Sequence, residues 1–408
     1  MKFETQFWLR ISLFNLLVVS LFGTVMRYKI GFEFPHFDQK HLQHAHSHFA
    51  FIGWITHTLF VLMTSVLQRD LAALQAASYR RLIIANLICS YGMLFSFMLQ
   101  GYGAISIGFS TMSVLVAYFF SYNFFKDLKH LSDRPYVNWF TAALWFNIIS
   151  SLGTFTLAFM MASHNFNQNV HLASLYFYLH FQYNGFFMFA CMGLLLAKLH
   201  QLKPVYRQSN AIFWMFFLSC IPAYFLSVLW ANLPVWLFSL VIAAAITQVI
   251  AWIKFLVSIK NGIISKDSLF RSGRYLFLII AIALSIKLLL QLGSTIPWVS
   301  KLAFGFRPIV IAYLHLILLA IISVFLVSYL YIYRLIHVNL LTSIALIVFV
   351  TGVYLNEIVL GIQGIASFSY TVVPKANEML FGIAVLILIS LLLLFLSQKK
   401  YFLSKMRV

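Results

Sequence analysis

Acidic residues are scarce in this chain of 408: nine Asp and Glu stand against 28 Lys and Arg, and the four charged types together make up only 9%. A folded surface facing water needs far more charge than that, and 62% of the residues are hydrophobic, so an ordinary soluble domain is excluded. Cysteine is almost missing as well. Cys89, Cys191 and Cys220 lie in apolar runs without a CxxC or CxxCH, which argues against disulfide scaffolds, zinc fingers and covalently attached c-type heme. There is no glycine-rich phosphate loop, and no connection is long enough to hold a soluble domain.

What the chain has in abundance is long apolar runs, with a mean hydropathy of +0.92 and 43 Phe. A helix needs about 20 apolar residues to cross roughly 30 Å of hydrocarbon. Twelve such runs are predicted, near 7–28, 40–67, 81–103, 105–126, 138–162, 170–199, 210–230, 234–257, 275–292, 307–332, 340–362 and 377–397. Lipid leaves no partner for an open backbone, and barrel strands would alternate in polarity, so helices are expected throughout. The expected fold is all-α, a polytopic membrane protein with a single transmembrane domain over 1–408.

Charge supplies an orientation. With the N-terminus inside, 21 Lys and Arg fall on inner segments, six on outer ones (Arg27, Lys29, Lys40, Lys301, Arg307 and Lys375), and Lys287 lies within a span. Both termini are therefore expected in the cytoplasm, with the chain in a bacterial inner membrane. The net charge of +19 is accounted for by basic inner loops against anionic lipid, so the bilayer is the expected partner and nucleic acid is not. The first run is full length, lacks a small-x-small site and precedes eleven more spans, so it reads as a span and not as a signal peptide.

The stretch HAHSHFAFIG, residues 44–53, puts three histidines at the head of a span. A related pattern recurs twice: His48 opens HFAFIG, His180 opens HFQYNG and His315 opens HLILLA, 132 and 135 residues apart. These histidines fall on spans two, six and ten. A period near 133 residues predicts three quasi-equivalent four-helix arcs, units near 1–130, 131–265 and 266–408, with one histidine on the second helix of each. From helix starts expected at Asp38, Asn169 and Arg307, the three lie 10, 11 and 8 residues in, or roughly 12 to 17 Å along the axis.

Imidazole in hydrocarbon is costly unless it is paired or bound. Each ring either bonds a neighbouring helix's carbonyl or hydroxyl, or ligates a metal or heme iron; three rings in register favour the second. His44 shares a helical face with His48 and His46 does not. His44 and His46 read either as metal ligands or as interfacial rings above the hydrocarbon. His57, nine residues after His48, is expected on the opposite side. Trp54 is a candidate to line a heme.

Twelve spans, three arcs and histidines on helices two, six and ten resemble the catalytic subunit of the heme-copper oxidase and nitric oxide reductase superfamily. The resemblance covers nearly the whole chain in topology and only short stretches in sequence. It implies a non-covalent b-type heme held by His48 and His315, copper or non-heme iron at His180, electron transfer or oxygen and nitric oxide chemistry, and a redox partner or cytochrome subunit at the outer face. Gly185 is similar to the reductase branch. The chain departs from the pattern at several positions. Span seven carries no histidine pair, Tyr313 replaces the ligand of a second heme, and Asn184 stands where the family has a tyrosine or glutamate. Tyr313 as a phenolate ligand, and a mononuclear metal at His180 aided by His164 or His171, remain open.

Lys287 and Glu357 are the other charged residues deep in spans, expected either to form a buried ion pair or to serve a proton path. Lys287 and Arg307 are candidate anchors for heme propionates. A heme or copper transport or assembly factor is the alternative function. It predicts helix breaks at matching places in the repeats, whereas only Pro222 interrupts a span midway.

Overall fold

The computed structural model describes residues 3–71, 74–131, 133–202, 209–262, 268–300 and 306–398. Among them there is no strand, and twelve helices are long and apolar enough to cross a membrane. They are α1 (Thr5–Gly31), α2 (Gln39–Asp70), α3 (Ala76–Gln100), α4 (Ala104–Leu131), α5 (Val137–Ala162) and α6 (Gln168–Leu202), followed by α7 (Asn210–Ser227), α8 (Val235–Lys260), α9 (Gly273–Gly293), α10 (Arg307–Ile332), α11 (Leu340–Phe368) and α12 (Ala376–Leu396). The chain is thus an all-α integral membrane protein. Lys301 lies outside the described residues.

Several starts have a local cause. Asp38 accepts from the backbone N–H groups of Lys40 and His41 and caps α2. Asn167 does the same for α6 through Asn169 and Val170, so the cap of α6 lies two residues before the expected start at Asn169. Arg307 opens α10 as expected, with Pro308 in the first turn, where its missing N–H costs nothing. Gly101 turns the chain between α3 and α4 at φ +63°, a conformation that suits glycine. In α7 regular α-helix stops at Ala223, just after Pro222, and tightens into 3₁₀ turns at Tyr224–Ser227 and Leu229–Ala231. Pro222 therefore ends this helix and does not kink it midway.

The chain divides into two compact units. One comprises residues up to Asp127 together with those from Ser323 onward, and the other runs from Leu128 to Ile322. Within the first, Tyr79 donates to Asp127 Oδ2 at 2.6 Å, and Thr24 Oγ1 donates to the Ala384 carbonyl at 3.2 Å. Large apolar side chains such as Ile88, Phe119 and Trp236 stand exposed, as lipid-facing helices require. α2 and α6 are the most enclosed spans, 83% and 72% buried against at most 44% elsewhere. Two of the three repeated histidines lie on these.

Candidate functional site

In all three spans the repeated histidine ends a stretch of α-helix and the next residue opens a π-helical one. Gln39–His48 is followed by Phe49–Thr56, Gln168–His180 by Phe181–Phe187, and Arg307–His315 by Leu316–Ser323. The first N–H after each histidine is shared between two carbonyls, three and four residues back: Phe49 to Ala45 and His46, Phe181 to Phe177 and Tyr178, Leu316 to Ala312 and Tyr313. π-helix is rare and concentrates at functional sites. Three copies at one register give the 133-residue pattern a structural counterpart.

The widened turn of α2 is held from outside the helix. Asn15 of α1 donates to the Gly53 carbonyl at 2.5 Å and accepts from Tyr91 at 2.8 Å. Asn86 of α3 donates to the Ile52 carbonyl at 3.2 Å, and within α2 itself Thr58 donates to the Trp54 carbonyl at 2.7 Å. The small residue five positions after the histidine also has a cause. A Cβ on Gly53 would lie 2.7 Å from the Phe49 ring, and one on Gly185 would lie 2.6 Å from Phe146 Cβ of α5. Ala320, in the third copy, is fully buried.

His44 and His48 share one aromatic wall, built by the end of α3 and the following turn. The His48 ring stacks on Phe97 at 4.3 Å and 13°, and its Nε2 lies 3.3 Å from the Tyr102 hydroxyl. His44 meets Tyr102 edge-on at 4.6 Å. His46 faces α1 instead, where its Nδ1 donates to the Val19 carbonyl at 3.1 Å. His57 is fully buried, edge-on to Trp8 of α1.

His180 is fully buried and held at both nitrogens. Nε2–H donates to the Cys220 carbonyl at 2.9 Å, and Nδ1 receives Asn184 Nδ2 at 3.1 Å. A neutral imidazole has one donor and one acceptor, and both are used here. A copper or iron ion at His180 would have to displace one of these partners, so the ring as it stands does not fit a metal ligand. Asn184, which departs from the family pattern, acts as the partner of His180. Neither proposed helper joins it: His164 is exposed at the end of α5, and His171 lies against Phe166. Among the described residues no group of three or more His, Cys, Asp or Glu is arranged to hold a metal ion.

His315 is the mirror case. Its Nδ1 lies 2.9 Å from the Ile311 carbonyl, one turn back, and since a carbonyl only accepts, Nδ1 carries the proton. The lone pair of the neutral ring is then on Nε2, the arrangement that second-sphere carbonyls impose on metal-ligating histidines. Tyr313 lies in electrostatic range of Tyr183 of α6, and Arg307 is exposed at the start of α10. Among the described residues the partner of His48 Nε2 is a neutral phenol hydroxyl, that of Tyr102.

The expected Lys287–Glu357 pair belongs to two different units, and each residue has neighbours in its own. Glu357 accepts from Asn356 Nδ2 at 3.1 Å and interacts with Arg27, while Lys287 interacts with Cys220 and His180. The sequence reading missed Asn15, Asn86 and Tyr102. Asn15 and Asn86 carried a usable signal, as uncompensated amides inside apolar runs; Tyr102 carried none. No protein-family model and no curated protein sequence matches the chain.

Proposed function

We propose that this chain is an integral membrane heme protein that transfers electrons or handles a small redox gas, with His48 and His315, on the resemblance to the oxidases, as the residues that would hold a non-covalent b-type heme. The observation that carries the proposal is the triplicated junction: histidine, shared N–H, then a π-helical segment, on α2, α6 and α10. Of the three histidines, His180 is held by protein bonds at both nitrogens, and the resemblance implies His48 and His315 as the residues that would hold the heme.

Heme bound this way supplies a one-electron couple. The chain's own residues do the rest. The Ile311 carbonyl fixes the His315 tautomer, and stacking on Phe97 holds the plane of the His48 ring. Without the histidines that serve copper or a second heme in the oxidases, electron transfer is favoured over four-electron oxygen reduction. The test is a pyridine hemochromogen assay on detergent-purified protein made with ample heme supply. A b-type hemochromogen spectrum near one heme per chain is expected; a heme-free preparation that is folded and monodisperse would sink the proposal.

A further inference from the structure

We infer that the unit running from Leu128 to Ile322 binds a small inorganic monoanion in a cavity at Lys287. The inference is independent of the heme proposal. The cavity has a volume of about 20 Å³ and is lined by Lys287 of α9, Gln248 of α8, Asn184 of α6, Cys220 of α7 and Trp139 of α5, with methionine, phenylalanine and leucine around them. That is room for about one water molecule or an ion of similar size.

Lys287 is only 5% exposed, in the middle of a membrane-spanning helix. Among the described residues it has neither a hydrogen bond nor an ion pair. The sequence explains why: among the described residues between 128 and 322 the only acidic one is Asp133, which precedes α5 and belongs to no span. A lysine buried without a counter-charge must either shed its proton or gain an anion, and such residues in membrane spans mark sites of function. Gln248, 6% exposed, likewise has no hydrogen bond among the described residues. Asn184 spends one amide hydrogen on His180 and retains the other. Ammonium, two amides and the Cys220 thiol thus all offer donors around one small space.

The candidate occupants separate by charge and size. A soft cation would find Met188, Met192 and Cys220, but would also face the ammonium. A water molecule satisfies donors and leaves the charge uncompensated. Oxyanions such as sulfate exceed the space. A weakly hydrated monoanion of about the size of chloride matches both the charge and the mostly apolar wall.

Equilibrium dialysis of the purified full chain against radiolabelled chloride, paired with thermal unfolding in chloride or gluconate at equal ionic strength, tests this directly. The wild type should show one saturable site per chain and a melting temperature that rises with chloride and not with gluconate. Lys287→Met should lose both responses while Lys287→Arg keeps them. Gln248→Leu, which leaves the lysine in place, should weaken binding roughly tenfold. His48→Ala should bind chloride like the wild type, which separates this site from the heme proposal. Absence of saturable chloride binding by the folded wild type, or unchanged binding by Lys287→Met or Gln248→Leu, would overturn the inference.

Discussion

Trp54 Nε1 donates to Ser323 Oγ at 2.9 Å, and both residues are buried. Trp54 lies within the π-helical segment after His48, and Ser323 closes the one after His315. The bond therefore ties the irregular turn of α2 to that of α10, six residues beyond one histidine and eight beyond the other. Trp54→Phe removes the donor and leaves the serine hydroxyl buried, at a cost of about 1 kcal/mol. Thermal or denaturant unfolding of Trp54→Phe, Ser323→Ala and the double variant should give a coupling energy of that order; strict additivity would mean that the bond does not stabilise the fold.

Asn15 serves two partners, the Gly53 carbonyl and the Tyr91 hydroxyl. Asn15→Leu removes both bonds in a setting with no water to replace them. A loss of about 1–3 kcal/mol in unfolding free energy is expected, and Asn86→Leu should follow with a smaller loss, since it holds one carbonyl at a longer 3.2 Å.

His180 is a structural histidine on this account. His180→Ala should lower stability by about 1–3 kcal/mol, because the Cys220 carbonyl is left buried without its donor. Nitrogen NMR of the wild-type ring should show an Nε2–H tautomer that does not change when copper is added. A copper-induced shift of the His180 nitrogens would restore the metal role that the resemblance implies.

How much of this was legible in the sequence depends on what each feature sums over. The twelve spans emerge from windows of about 20 residues, where local errors cancel, and Asp38 announces the start of α2 by its chemistry alone. The π-helical segments leave no such mark. One extra residue per turn shifts the phase of a periodic pattern, but in FAFIGWIT or LILLAIIS nearly every position is apolar and there is no phase to shift. Only the small residue five places after each histidine hinted at them. The Lys287–Glu357 pair looked plausible because both sit deep in spans. Depth alone names no partner, and Glu357 has Asn356 and Arg27 beside it within its own unit.

The cap of α2 responds to acid. The backbone N–H groups of His41 and Lys40 hold the Asp38 carboxyl below its ordinary value. A carboxylate depressed in the folded chain stabilises above the unfolded value of about 4 and loses that contribution as pH falls through the lower folded value. The first turn of α2 should therefore loosen only in acid below the ordinary carboxylate range. Amide chemical shifts of Lys40 and His41 should titrate there in the wild type and stay flat in Asp38→Asn, which keeps the acceptor oxygen without the charge.

The most direct test of the heme proposal is a dithionite-reduced minus air-oxidised optical spectrum of the purified protein, recorded beside His48→Ala, His315→Ala and His180→Ala. Sharp reduced α and Soret bands are expected in the wild type and in His180→Ala, and both bands should disappear in the His48 and His315 variants. A folded wild type with no bands, or bands that survive loss of both His48 and His315, would contradict the ligand assignment.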